Sequence, residues 1–577
     1  MSDLIIRRRE VPENLPVYNQ VHPLLARIYA SRGLDNLENL GRNLKQLQTG
    51  QDIRGMDAAV TRLVEALEQD QHILIVGDFD CDGATSTALA MLGLGMMGAN
   101  RVSYLVPNRF EYGYGLSPEI VAVAAQKKPD LLITVDNGIS SIEGVAAANA
   151  LGIDVVITDH HLPGERLPEA FAIVNPNQPD CDFSAKSTCG VGVIFYVMTA
   201  LRRVLDQQGW FKSHNLPLPN LASLLDLVAL GTVADVVPLE ENNRTLVYQG
   251  LQRIRAGKAR PGILALIEIS GRQRQRLVAA DLGFALAPRL NAAGRLDDMS
   301  IGIECLMTND PERARELAMQ LDTLNQERRG IEQEMQQQAL VLLDELQLDA
   351  EGELPFGLCL YDEEWHQGVI GILASRIKEK VNRPVVAFAA GDNDELKGSA
   401  RSIPGFHIRD GLDAVAARHP EVLKKFGGHA MAAGMTISRD KLPLFQQAFD
   451  AEVRRQLSPE ALQHLVLTDG ALSGAELTRD VAELLRDGGP WGQHFPEPLF
   501  DGEFSLLQQR IVGQRHLKLV LMEPDSGIAI DAIHFNADMK IWPDDTVQRV
   551  RAVFRLDINE FRGQRSLQLM IDQLLPL

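Results

Sequence analysis

Along the first half of the chain, short runs of apolar residues alternate with stretches whose apolar positions recur every three or four residues. The runs are His72-Ile-Leu-Ile-Val-Gly77, Ser103-Tyr-Leu-Val106, Leu131-Leu-Ile-Thr-Val135, Asp154-Val-Val-Ile-Thr158 and Phe171-Ala-Ile-Val174. Most are apolar throughout rather than at alternate positions, the pattern of strands buried on both faces of a parallel sheet. Helical patterns follow at about 84–98, 140–150, 192–206 and 219–230. The spacing predicts an α/β domain with an open, doubly wound, mainly parallel sheet.

The pattern changes twice further on. Residues 311–350 carry apolar positions near helical spacing among many Gln and Glu, with no Gly or Pro between Ile331 and Ala350, and read as a long, partly exposed linker helix. A second, smaller α/β unit follows, with strands Phe356-Gly-Leu-Cys-Leu-Tyr361 and Pro384-Val-Val-Ala-Phe-Ala389 and a helix at about Val369–Lys380. After about 460, runs such as Leu517-Lys-Leu-Val-Leu-Met522, Ile528-Ala-Ile-Asp-Ala-Ile533 and Val547–Leu556 alternate with turn residues. They predict a small β-barrel or sandwich, an OB-type barrel being one form. The expected division is 1–310 (with an N-terminal extension), 311–350, 351–459 and 460–577.

The length of 577 residues accommodates three to four domains at about 150 residues each. With 45% hydrophobic and 23% charged residues the composition is that of a soluble globular protein, which excludes collagen-like and disordered classes. The formal net charge of −20 means the surface as a whole repels nucleic acid and anionic membrane. A nucleic-acid site must therefore be a local basic feature or rely on bound cations. Ala88 to Ala99 is too short and glycine-rich to span a bilayer, and the start Met-Ser-Asp-Leu-Ile-Ile-Arg-Arg-Arg has no long apolar stretch after its charges, so neither membrane nor signal peptide is expected. Five cysteines (81, 181, 189, 305, 359) form no CxxC pair, which points away from zinc and disulfide frameworks and towards the reducing cytoplasm.

The chemistry lies where the strands end. In open α/β sheets ligands bind at the carboxyl ends of the strands, and three such ends here carry Gly77-Asp-Phe-Asp-Cys-Asp-Gly83, Val135-Asp-Asn-Gly138 and Thr158-Asp-His-His161. A fourth acidic residue, Asp235, follows an apolar helix in Gly231-Thr-Val-Ala-Asp235. Carboxylates crowded on one edge repel each other unless cations neutralise them. Oxygen ligands with imidazoles suit Mn²⁺ or Mg²⁺, the histidines favouring Mn²⁺. Asp78, Asp80 and Asp82 alternate on a strand-to-loop exit, so two can reach adjacent metals with Asp136 bridging. Two metals about 3.5–4 Å apart activate a water and stabilise a leaving oxygen, which implies phosphoester hydrolysis. A lone Asp after a strand is more often a helix N-cap than a ligand, and Asp159 is assigned that local role. A Rossmann dinucleotide site is excluded by the absence of GxGxxG. A haloacid-dehalogenase-type phosphatase would also start from a DxD loop, but it does not predict Asp-His-His.

These segments resemble, in order, the four motifs of the DHH phosphoesterase superfamily, and the second half resembles its DHH-associated domain through Gly398-Ser-Ala-Arg-Ser402 and Gly427-Gly-His-Ala-Met-Ala-Ala-Gly434. Within the superfamily, Pro107-Asn-Arg109, Glu111-Tyr-Gly-Tyr-Gly115, Leu286-Ala-Pro-Arg-Leu-Asn-Ala-Ala-Gly-Arg295 and Trp365-His-Gln-Gly-Val-Ile-Gly-Ile372 resemble the RecJ family of single-strand-specific 5′→3′ DNA exonucleases, and the C-terminal region is similar to that family's OB-fold. The resemblance implies release of mononucleotides in recombinational and mismatch repair, with single-strand-binding protein and helicases as partners. It puts Asp80, Asp82, Asp136, His160 and Asp235 on metal positions, Asp82 and Asp136 at the chemistry, and His161 beside the metals to orient or protonate the scissile phosphate. Where the pyrophosphatase branch has a histidine before the first DxD, this chain has Val76, so Asp78 or water must complete one metal's shell. A hydrolase of short substrates or a non-enzymatic nucleic-acid scaffold on the same fold are the alternatives. Chain size, barrel and basic window oppose the first, intact ligand positions the second.

Substrate contacts are expected at several places. Residues 251–300 hold nine Lys/Arg against four Asp/Glu, a patch able to track a phosphate backbone, with a solvated helix face as the plainer reading of Arg253–Arg260. Arg289 and Arg295 lie in apolar surroundings and require a phosphate or carboxylate partner. Ser399, Arg401 and Ser402, with Arg109 opposite, offer a pocket for a 5′-terminal phosphate. Gly427, Gly428 and His429 permit close contact with a sugar-phosphate, and His366 completes the set. Tyr112, Tyr114, Trp365 and Phe406 are candidates to stack on bases. A site in a cleft between the two α/β domains would pass one strand and exclude a duplex.

Overall fold

In the computed structural model, the described residues are 4–14, 18, 21–107, 115–349, 354–513, 515–539, 541–561 and 563–577. The chain forms two compact units, Arg8–Asp322 with Leu467–Leu577, and Met1–Arg7 with Thr323–Val466.

The first unit is built on a five-stranded parallel sheet. Its strands are β1 (Ile73–Val76), β2 (Val102–Leu105), β3 (Leu131–Val135), β4 (Asp154–Thr158) and β5 (Ala172–Val174), in the order β2-β1-β3-β4-β5. β1 and β3 are buried at every position, as their unbroken apolar runs require. Helices α1 (Cys81–Met96) and α2 (Gly190–Gln207), together with α3 (Leu225–Ala234) and α4 (Ala287–Leu296), complete the walls around the sheet's carboxyl edge. A π-helical turn, Leu282–Leu286, leads into α4. The apolar face formed by Leu74, Val76, Leu132, Val155 and Ile157 packs against Ile120, Val121, Val145 and Ala148. Helix α5 (Pro311–Asp349) is a single 39-residue helix, continuous through Gly330, whose residues up to Asp322 belong to this first unit and whose remainder belongs to the second.

The same unit contains a closed barrel of β11 (Phe500–Val512), β12 (His516–Met522), β13 (Ala529–His534), β14 (Arg549–Phe561) and β15 (Gln564–Pro576). Its order is β11-β12-β13-β15-β14, closed by the pairing of β11 with β14, which settles barrel against sandwich. Full closure leaves no edge strand. Arg32 and Asp469 tie the N-terminal segment to the start of this region through two contacts, at 2.7 and 3.0 Å, with both side chains almost wholly buried.

The second unit carries a mixed sheet of β6 (Leu358–Tyr361), β7 (Val385–Ala390), β8 (Glu395–Arg401), β9 (Leu423–Gly428) and β10 (Ala432–Ser438), in the order β9-β10-β8-β7-β6. Only β6 and β7 are parallel. The three antiparallel strands β8 to β10, which apolar pattern did not reveal, contain Lys397, Lys424 and several glycines on exposed or half-exposed positions. Helix α6 (Ile370–Val381) follows the first strand.

Candidate metal centre

The carboxyl edge of the first sheet gathers the acidic and imidazole groups. Each is delivered by the residue that follows a regular element. β1 ends at Val76 and Asp78 comes two residues later. Asp80 caps helix α1, its Oδ1 accepting from the Gly83 N–H at 3.0 Å. Asp82 lies in that helix's first turn. Asp136 directly follows β3 in the left-handed region, φ 62°, a conformation an Asp tolerates at some cost. Asp159, His160 and His161 follow β4, and Asp235 terminates α3.

The side chains converge. His160 Nε2 lies 3.1 Å from Asp136, 3.5 Å from Asp235 and 3.9 Å from Asp82. Ligand atoms of three overlapping groups, Asp78–Asp80–Asp136, Asp82–His160–Asp235 and Asp136–His160–His161, each lie within 4.8 Å of one another. Close approach is possible because small residues stand behind the carboxylates. A Cβ on Gly190 would come 2.6 Å from the Asp136 side chain, and one on Gly231 would come 2.8 Å from Asp82.

Burial and mutual repulsion push these acids towards protonation. Asp82 is raised to about 7 by burial and by Asp235. Asp235 is raised to about 8 by burial and by Asp80. Asp136 is driven well above the carboxylate range by burial, then by Asp82. Burial, with His161 adding to it, keeps His160 neutral. Buried Nε2 of His160 is hydrogen-bonded by none of the described residues, although carboxylates surround it. A neutral imidazole among under-neutralised carboxylates is the donor set of a divalent cation with oxygen and nitrogen ligands.

Asp159 has a different task. Its carboxylate accepts from the N–H groups of Ile139 (2.8 Å), His160 (2.7 Å) and His161 (3.1 Å), and from Nδ1 of His161 at 2.7 Å. No helix begins there, so the N-cap role expected for it is corrected; the residue that caps a helix is Asp80. Asp159 instead locks the Asp136–Ile139 loop to the histidine pair. Burial opposes a charge on His161, yet the Asp159 hydrogen bond and carboxylate outweigh it and raise the imidazole to about 9.

Sequence reasoning missed two supports. The N–H groups of Gly190 and Val191, at the start of α2, donate to the two oxygens of Asp82 at 2.7 and 2.9 Å. The helix begins two residues earlier than its apolar spacing indicates, and Cys189-Gly-Val-Gly192 was the available signal. Asn291 of α4 braces the turn between Asp80 and Asp82 from the other side.

The expected substrate residues divide. Arg109, Tyr112 and Tyr114 lie outside the described residues. Ser399 and Arg401 share one face of β8, joined by a 3.1 Å hydrogen bond, and both crowd Gly371 at the start of α6. Ser402 is not brought there. Strand alternation turns it away, and its hydroxyl donates to the Phe406 carbonyl at 2.6 Å. Gly428, at φ 150°, and His429 stand at the β9–β10 turn, where the His429 N–H donates to Ala432. His366 accepts from the Gly368 N–H through Nδ1. Trp365 and Phe406 are buried core side chains, so the stacking role expected of them is corrected.

In the basic window, Arg255 and Arg260 are committed to main-chain carbonyls. Arg289, nearly buried, meets its predicted partner as a carboxylate, Asp322, at 2.8 Å. Arg295, half-buried, is on the same helix. The five cysteines are free and buried, and among the described residues no helix is long and apolar enough to cross a membrane.

Comparison with known proteins matches three family domains in order: the DHH family N-terminal domain at residues 72–232, the DHHA1 domain at 355–455 and the RecJ OB domain at 468–573. The single-stranded-DNA-specific exonuclease RecJ of Salmonella typhimurium is 56% identical over 572 residues, 99% of each chain. The protein of that name from Thermus thermophilus is 34% identical over 481 residues, 83% of this chain and 66% of that one. The crystal structure of Thermus thermophilus RecJ in complex with Mn²⁺ matches with a TM-score of 0.80 at 30% identity, covering 99% of this chain and 79% of that one. The corresponding Mg²⁺ complex matches at 0.75 and 28% identity, covering 100% and 79%.

Proposed function

The chain belongs to the RecJ family of DHH phosphoesterases, and on that premise we propose that it removes mononucleotides successively from the 5′ end of single-stranded DNA. It is a metal-dependent, single-strand-specific exonuclease. The observation that carries the assignment of its centre is the meeting of Asp78, Asp80, Asp82, Asp136, His160 and Asp235, from four separate segments, within bonding range of common points.

These residues would hold two divalent ions, Mn²⁺ or Mg²⁺, which when bound supply a nucleophilic water at neutral pH and neutralise charge on the reacting phosphate. Asp136 and His160 each belong to two of the three ligand groups, and of the two Asp136, with two carboxylate oxygens, would serve both ions. Asp82, fixed by two amides of α2, holds its orientation without a cation. Asp78, or a water, would complete the ligand set that Val76 leaves short. Asp159 holds Nδ1 of His161, which keeps the imidazole protonated and directs its Nε2–H to a phosphate oxygen, where it orients the group and donates a proton to the leaving oxygen.

Direction comes from the terminal phosphate. Ser399 and Arg401, beside the N-terminus of α6, supply a hydroxyl, a guanidinium and helix amides, the groups that bind a phosphate dianion. Gly428 and His429 are assigned to the adjoining sugar-phosphate, with Arg109, Tyr114, Arg295 and His366 as further contacts, whereas Arg289 is taken up by Asp322. The barrel supplies a further surface for single strand. Recombinational and mismatch repair in the cytoplasm, beside single-strand-binding protein and helicases, is the corresponding biological setting.

Digestion of end-labelled strands tests the proposal. With Mn²⁺, 5′-phosphorylated single strands yield mononucleotides, 5′-hydroxyl strands react more slowly and blunt duplexes resist. Equal rates on all three would reject both polarity and strand selectivity.

A further inference from the structure

The most exposed large apolar side chain among the described residues, Phe284, is 79% exposed, although it sits in a densely packed part of the first unit. It occupies the middle of the π-helical turn Leu282–Leu286, a helix irregularity that proteins retain mainly at functional places. Its neighbour Gly283 packs on α3 so closely that a Cβ there would lie 3.2 Å from Cγ1 of Val233, two residues before Asp235. Directly after Asp235 comes Val236, itself 64% exposed, with φ 59°. A β-branched residue in the left-handed region is strained, and Gly or Asn would fit at lower cost. The strain is kept where it presents an isopropyl group to solvent, one residue from a metal-centre carboxylate.

Phe284 and Val236 both line a cavity of about 840 Å³ between the wall of the first domain and the barrel of the same unit. Its volume is that of a small-molecule or nucleotide site. The cavity's five arginines are already engaged: Arg255 with the Leu277 carbonyl at 2.8 Å, Arg272 with Asp281 at 3.2 Å, Arg276 with Glu560, Arg486 with Asp487 at 3.1 Å, and Arg555 with Glu497 at 3.5 Å. With its guanidinium groups paired locally, the cavity offers a ligand apolar surface rather than an anion grip.

We propose that Phe284 and Val236 form a ledge on which a nucleobase of the single strand rests, close to the phosphate being cut. The ligand is a nucleobase because the surface is aromatic and apolar, opens to solvent and includes Val236, the residue next in sequence to Asp235. Stacking on an aromatic ring accepts every base, as an enzyme that proceeds along any sequence requires. The ledge also gives the chain a stacking surface in place of Trp365 and Phe406, which are core residues. The inference rests on the exonuclease reading, and the experiment separates the two.

The test compares wild type, Phe284→Ala, Phe284→Tyr and Val236→Asn on 5′-phosphorylated oligonucleotides, intact or with one abasic tetrahydrofuran residue at successive positions. Phe284→Ala raises KM by about tenfold or more, in the range of losing one stacked base, with kcat and calorimetric Mn²⁺ binding unchanged. Phe284→Tyr restores KM, and Val236→Asn, which keeps the left-handed backbone, shifts it in the same direction by less. At one position near the 5′ end, the abasic substrate abolishes the difference between wild type and Phe284→Ala. An unchanged KM, or a penalty that persists at every abasic position, overturns the ledge while leaving the exonuclease reading intact. A wild type that does not digest single strands overturns that reading instead.

Discussion

The side-chain oxygen of Asn291 accepts a hydrogen bond from the backbone N–H of Cys81 at 2.7 Å. One turn on, Gly294 approaches Phe79 so closely that a Cβ would lie 1.7 Å from its carbonyl oxygen. Helix α4 therefore fits against the turn that carries Asp78, Asp80 and Asp82. Asn291→Ala removes the brace without creating a large cavity, so the fold persists while the turn relaxes. Mn²⁺ affinity measured by titration calorimetry falls by about tenfold, the scale of losing a support behind a metal ligand. Gly294→Ala, which forces backbone apart, has the larger effect.

Raised acids at the centre couple metal binding to protons. Asp82 and Asp235, at about 7 and 8, bind more protons folded than unfolded between roughly pH 4 and 8. Stability of the metal-free protein therefore declines as pH rises through that window. In EDTA the melting temperature falls from pH 5 to pH 8, by about 1 °C for each kcal/mol lost in a unit of this size. Saturating Mn²⁺ reverses the trend, and calorimetry in buffers of different ionisation enthalpy detects proton release at pH 7.

Arg32 and Asp469 form an almost fully buried pair at 2.7 Å. Arg32→Ala leaves the Asp469 carboxylate without its main partner and costs about 3–5 kcal/mol in urea unfolding. The double variant Arg32→Ala/Asp469→Asn recovers part of that loss.

Glu452 is buried between Arg418, Arg455 and Gln456, and the Arg455 hydrogen bond leads in lowering its carboxyl to about 2. Its depressed value stabilises the second unit above the unfolded carboxyl range near 4.5, and the stabilisation is lost as pH falls towards 2. Glu452→Gln costs about 2 kcal/mol at pH 7, and the difference from wild type shrinks below about pH 4 and vanishes only as pH falls to about 2.

What could be read from the sequence followed from periodicity and residue chemistry. The strands ending at Val76, Val135 and Thr158 were visible because burial on both faces forces continuous apolar runs, and the acids after them stand at the sheet's ligand edge. The long helix from Pro311 was visible because, apart from Gly330, no Gly or Pro interrupts its spacing. Strands β8 to β10 were hidden because Gly398, Gly427, Gly428 and Gly434 break any hydrophobic alternation. The roles of Asp159, Asn291 and the Gly190 amide depend on contacts between segments 20 to more than 200 residues apart, which no local pattern encodes. Trp365 and Phe406 were misplaced because an aromatic looks the same in a core as on a platform.

The most direct measurement counts metal. Electron paramagnetic resonance of the full chain titrated with Mn²⁺, beside Asp136→Asn, reads both stoichiometry and spin coupling. Two ions per chain with an exchange-coupled signal, lost in Asp136→Asn with the fold intact, is the predicted result. Uncoupled ions, or binding unchanged by the substitution, would contradict a shared centre at the ends of these strands.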